Sequence, residues 1–81
     1  MSLDADFQAA LEHSKTLPSQ PPAVQLKLYG LFKQATQGDV QGKRPGVLDL
    51  RGRAKYDAWS ERVGQSREEA QRAYIEAIAA L

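Results

Sequence analysis

The sequence predicts an all-α fold, a four-helix bundle forming a single domain over residues 1–81. Three observations carry that prediction. Four stretches place small and apolar residues at the spacing of one helical face. No stretch alternates apolar and polar residues as a half-buried strand does. Prolines, glycines and capping residues fall between the four stretches, where helices have to stop and start.

The first helix is predicted over residues 3–14. Leu3, Phe7, Ala10, Leu11 and Ser14 share one face, Ser2 is the candidate N-cap, and Asp4 and Asp6 suit the positive end of the helix dipole. Pro18, Pro21 and Pro22 then interrupt the chain, because proline lacks an amide hydrogen and fixes its own backbone angle. The second helix is predicted over residues 21–36, with proline in its first turn and Gly38 as its C-terminal cap. It carries two apolar stripes: Val24, Leu28, Leu31 and Ala35, and a second made of Leu26 and Tyr29 that ends on Lys33, with Phe32 between the two. One stripe suffices for packing, so the second points to something besides the core. A loop over residues 38–49 follows, long for so small a domain, with Val40, Val47 and Leu48 expected to pin it. The third helix is predicted over residues 50–63, capped by Asp49 and stopped by Gly64. Ser66 to Glu69 reads as a capping box S-x-x-E opening a fourth helix that runs to about residue 80, with Ala70, Tyr74, Ile78 and Leu81 on one face.

Composition excludes several classes of chemistry. The chain has no cysteine and one histidine, His13, so thiolate chemistry, disulfides and cysteine or histidine metal clusters are out. No Ser-His-acid set is suggested by spacing, and the glycines of the long loop do not fit a phosphate-binding P-loop. No basic segment followed by an apolar run begins the chain, and no run approaches the ~20 apolar residues of a membrane span. A free protein of the cytoplasm is the expectation. The net charge of +1 hides an uneven distribution: −2 over residues 1–26, +4 over residues 27–62 and −1 over residues 63–81. A positive centre with so small a net charge favours a small anionic ligand over nucleic acid.

That positive centre combines cations with aromatic rings. Tyr29, Phe32 and Lys33 stand at i, i+3, i+4, and Arg51, Lys55 and Trp59 at i, i+4, i+8. Cations beside rings suit an anion attached to a planar base. From spacing alone two readings remain open: rings in the core with solvated cations around them, or two faces of one binding site.

The run Tyr29-Gly30, Phe32-Lys33-Gln34-Ala35-Thr36, Gly38-Asp39, Arg44-Pro45-Gly46, then Gly52-Arg53-Ala54-Lys55-Tyr56-Asp57-Ala58-Trp59 and finally Ala73-Tyr74-Ile75 resembles the acyl-CoA-binding protein family. Motifs in the same order cover nearly the whole chain. The resemblance implies an up-down-down-up bundle in which the long loop lets helices two and three run parallel. It implies a non-enzymatic, monomeric carrier of medium- and long-chain acyl-CoA thioesters with no cofactor. Its partners would be the ligand itself and, in passing, enzymes that make or use it, with no nucleic acid and no stable membrane insertion.

By the same resemblance, Tyr29, Lys33 and Lys55 contact the phosphate-bearing end of coenzyme A, with Arg51 and Tyr74 beside them. Phe32 keeps the ring but lacks the hydroxyl of the tyrosine frequent at that position. Lys15 is a basic position near the ligand. Leu26 and Leu11 are either lining for the acyl chain or ordinary core, and Trp59 is expected in the core. The competing account is a helical protein-interaction module that has kept the scaffold and lost the ligand.

Overall fold

A computed structural model describes residues 2–81, and four α-helices make up its regular structure: α1 (Leu3–Ser14), α2 (Pro22–Gln37), α3 (Leu50–Ser60) and α4 (Arg67–Ala79). The caps explain the boundaries. The Ser2 hydroxyl accepts from Ala5 N at 3.1 Å, the Asp49 carboxylate from Gly52 N at 2.9 Å, and the Ser66 hydroxyl from Glu69 N at 3.0 Å. Glu69 answers by accepting from Ser66 N at 2.9 Å, completing the capping box. α2 begins one residue later than expected, with Pro22 inside its first turn, and ends on Gly38 at φ +81°, a conformation that glycine adopts without a Cβ penalty.

α3 is shorter than the sequence predicts. After Ser60 the chain tightens into i→i+3 turns, Arg62 N to Trp59 O and Val63 N to Ser60 O, before reversing at Gly64, φ +91°. The expected extension to Val63 assumed that only Gly64 could end the helix.

The pairings between helices give the topology. Lys55 lies over Tyr29, Ala58 abuts Gly30 and Lys33 lies over Trp59, so α2 and α3 advance together and are parallel. Arg67 reaches Gln37 O and Gln71 reaches Ala35 O, so α4 runs antiparallel to α2. Parallel neighbours require the connection to travel back along a helix. α2 is ~24 Å long at ~1.5 Å per residue, well within reach of the loop over residues 38–49. α1 packs only on α4, and α3 only on α2, so the order across the molecule is α1, α4, α2, α3. The result is a slab with principal extents of 42 × 28 × 15 Å.

The core lies between α1, α2 and α4: Phe7, Ala10, Leu31, Ala35, Ala70, Tyr74 and Ile78, with Phe7 edge-on to Tyr74 at 5.4 Å between ring centroids. α3 contributes no buried residue. Trp59, expected in the core, is therefore only half-buried; its indole donates to Gly38 O at 2.7 Å and its ring carries Lys33. α3 approaches α2 so closely at Gly30 that a Cβ there would overlap the Ala58 carbonyl.

Of the three apolar side chains expected to pin the long loop, Val40 is half-buried, whereas Val47 and Leu48 pin nothing. Val47 is 70% exposed and Leu48 96% exposed. Polar contacts hold it instead. Arg44 grips Asp57 through two hydrogen bonds of 2.9 and 2.7 Å, and the Tyr56 hydroxyl donates to Gly42 O at 2.9 Å. Gln34, fully buried, donates to Asp39 at 2.8 Å and to Gln65 O at 2.7 Å. Asp39 also accepts from Gly64 N at 3.0 Å, tying the start of the loop to the α3–α4 turn.

Candidate ligand-binding groove

Because α2 and α3 are parallel, their first halves lie side by side. Pro22, Gln25, Leu26 and Tyr29 of α2 face Leu50, Arg51, Ala54 and Lys55 of α3 across an open groove of about 710 Å³. Its walls supply apolar surface, one tyrosine ring and two cations, and no acid. Asp57, the carboxylate of α3, is committed to Arg44. That guanidinium holds its carboxyl below the ordinary carboxylate range, chiefly through their hydrogen bonds. Asp49 turns back to cap its own helix. Arg51 and Lys55 are both exposed and have no ion-pair partner among the described residues. The Lys55 ammonium sits 5.4 Å from the centre of the Tyr29 ring, a cation–π contact that places ring and charge at one point.

Four of the expected ligand residues, Leu26, Tyr29, Arg51 and Lys55, thus meet in this groove. Lys33 lies one turn beyond Tyr29, half-buried, with its ammonium 4.9 Å from the Trp59 ring centroid. Phe32 is half-buried against the core, on the side that its place between the two stripes suggests. Tyr74 is 5% exposed and belongs to the core cluster rather than to the groove wall. Lys15 is exposed at the end of α1, 3.3 Å from Glu12, and does not line the groove. Leu11 is partly buried against the core, and His13 is exposed.

Sequence reasoning passed over Pro22, Gln25, Leu50 and Ala54, which complete the walls. Gln25 precedes Tyr29 by four residues and Ala54 follows Arg51 by three, so helical spacing would have found both. Leu50 and Pro22 depend on where each helix begins, which spacing does not give.

Two smaller hollows are less suited to an anion. One of about 430 Å³, on the other side of the α2–α3 junction, mixes Lys27 and Arg62 with Asp57 and Glu61. One of about 400 Å³ between α1 and α4 has Asp6 at its rim and no lysine or arginine. Among the described residues, no group of three or more His, Asp or Glu could hold a metal ion, and no helix is long and apolar enough to cross a membrane.

Comparison with known proteins bears on the family and the fold. The chain is 47% identical over 83 residues to an acyl-CoA-binding protein homolog of Manduca sexta, covering 100% of this chain and 92% of the relative. It is 51% identical over 76 residues to acyl-CoA-binding domain-containing protein 1 of Oryza sativa subsp. japonica, covering 93% and 84% respectively. Its fold is similar to the crystal structure of Oryza sativa acyl-CoA-binding protein 2, with a TM-score of 0.95 at 43% identity over 99% of this chain and 90% of that one. It is similar also to an acyl-CoA-binding protein of Moniliophthora perniciosa, with a TM-score of 0.85 at 43% identity over 95% and 76%. The family model described as acyl CoA binding protein matches residues 4–78, and with a groove that joins cations, a tyrosine and apolar walls, the chain belongs to the acyl-CoA-binding protein family.

Proposed function

We propose that the α2–α3 groove binds medium- and long-chain acyl-CoA thioesters and that the protein carries them without transforming them. The observation that supports this most directly is the meeting of Tyr29, Arg51 and Lys55 over apolar walls in a groove that no carboxylate lines. An acyl-CoA has a polyanionic head with a planar base and a long apolar tail. Lys55 and Arg51 face the phosphates, the Tyr29 ring offers the base a flat partner, and Lys33 adds charge one turn along α2. Leu26, Leu50 and Ala54 cover the tail, where each methylene fully removed from water contributes about 0.8 kcal/mol.

Phe32 provides ring packing without a hydroxyl. Lys15 and Tyr74 lie outside the groove and have a secondary part. The protein works as a monomer in the cytoplasm, buffering its ligand and meeting in passing the enzymes that produce or consume it.

Titration calorimetry with palmitoyl-CoA, free coenzyme A and palmitate tests the reading. Tight binding of the thioester, weak binding of coenzyme A and none of palmitate is the expected pattern. Absence of heat with all three, from folded protein, overturns it and leaves the interaction module.

A further inference from the structure

The loop before α3 exposes apolar side chains that the fold does not use. Residues 46–49 form a turn closed by a hydrogen bond from Asp49 N to Gly46 O at 3.0 Å, with Val47 and Leu48 at its corner. They are 70% and 96% exposed, and Leu50, which follows on the groove wall, is 76% exposed. The loop is secured elsewhere, by Arg44 on Asp57 and Tyr56 on Gly42, so these three side chains are free of any structural task. Cations flank them in the sequence. Residues 43–55 hold five cations and one acid, a net +4; one of those cations, Arg44, is paired with Asp57, and the acid, Asp49, is exposed while its carboxylate accepts from Gly52 N. Lys43, Arg51 and Lys55 are exposed with no ion-pair partner among the described residues.

We propose that this turn is a docking tip for the surface of an anionic phospholipid bilayer, placed at the mouth of the groove. A bilayer accepts a narrow apolar tip because its acyl region is fluid, while the flanking cations meet phosphate at headgroup level. A folded protein partner asks for a broader complementary face, of the order of 800 Å² on each side, and a four-residue turn is a small fraction of that. Continuity with the groove gives the docking a use. Leu50 belongs both to the exposed run and to the groove wall, so an apolar chain could pass from lipid to protein along one apolar surface. That use rests on the carrier reading; the docking does not.

Sedimentation of the ligand-free full chain with vesicles tests the proposal. The wild-type protein is expected to pellet with vesicles of phosphatidylcholine mixed with phosphatidylglycerol, to stay in solution with phosphatidylcholine alone, and to be released by salt. Leu48→Ser lowers partitioning roughly tenfold, the consequence of losing one inserted leucine. Lys43→Gln lowers it less and weakens the salt response. Both residues lie outside the groove walls, so palmitoyl-CoA affinity measured without vesicles stays at the wild-type value. Equal pelleting of wild type and Leu48→Ser, or no pelleting with the mixed vesicles, overturns the proposal and leaves a protein as the occupant of the turn. Vesicle binding that depends on Leu48, in a protein giving no heat with palmitoyl-CoA, upholds the tip while removing the carrier reading.

Discussion

Lys55 and Gln34 show how differently single residues serve this protein. Lys55 is exposed, has no carboxylate partner, and contributes its charge to the groove. Replacing it by alanine is expected to leave the unfolding midpoint nearly unchanged and to weaken palmitoyl-CoA binding by about tenfold to a hundredfold, the range for a charge-assisted hydrogen bond of ~1.5–3 kcal/mol. Calorimetry beside a thermal melt separates the two effects. Lys33→Ala weakens binding too, but costs some stability, because Lys33 is half-buried over Trp59. Gln34 is the reverse case. It is fully buried, and its amide joins α2 to the loop and to the α3–α4 turn. Gln34→Ala removes both contacts and is expected to lower stability by roughly 1–3 kcal/mol in denaturant unfolding, leaving the groove residues in place. Tyr74→Phe decides the standing of its hydroxyl: unchanged affinity assigns Tyr74 to the core alone.

Among the elements, the junction of α2 and α3 is the most exacting. Gly30 allows the helices to touch through backbone, and Gly30→Ala drives a methyl group into the Ala58 carbonyl. Such overpacking costs about 1–3 kcal/mol, and it also displaces the helix that carries Arg51 and Lys55. Loss of stability and loss of ligand affinity should therefore appear together in this variant, as they do not in Lys55→Ala.

The caps and turns add a dependence on pH. Asp39 is held below its ordinary value of 3.8, first by the Gly64 amide and then by Gln34, and Glu69 lies below 4.5 through its bonds to Ser66. Carboxylates whose folded pKa is depressed contribute stability above their unfolded values, and that contribution is lost as the pH falls through and below this range. The unfolding midpoint should drop on acidification below about pH 4. Asp39→Asn, which keeps an acceptor but cannot titrate, should make that decline shallower.

On the scale of the whole molecule, the order α1, α4, α2, α3 puts the core at one side and the groove at the other. α3 has one helical neighbour and no buried residue, so amide exchange should be fastest there among the helices and should slow most on ligand binding. A ligand present at a hundred times its dissociation constant stabilises the fold by about 2.7 kcal/mol, visible as a raised melting temperature. By itself the sequence determined which segments are helical, since helix boundaries answer to local chemistry: Ser2, Gly38, Asp49 and the Ser66–Glu69 pair each act within a turn of where they stand. Its order of motifs also placed the chain in its family, and helical spacing set Tyr29 beside Lys33 and Arg51 beside Lys55. Only the tertiary structure decided which of these side chains share a groove, because facing depends on the parallel return of α3 and on the close approach at Gly30. It likewise took Trp59 out of the core and left Val47 and Leu48 in solvent. Hydrophobicity marks a residue as able to be buried, but burial requires a second surface at the right distance. Residues far apart in the chain supply that surface, and no spacing within one helix records it.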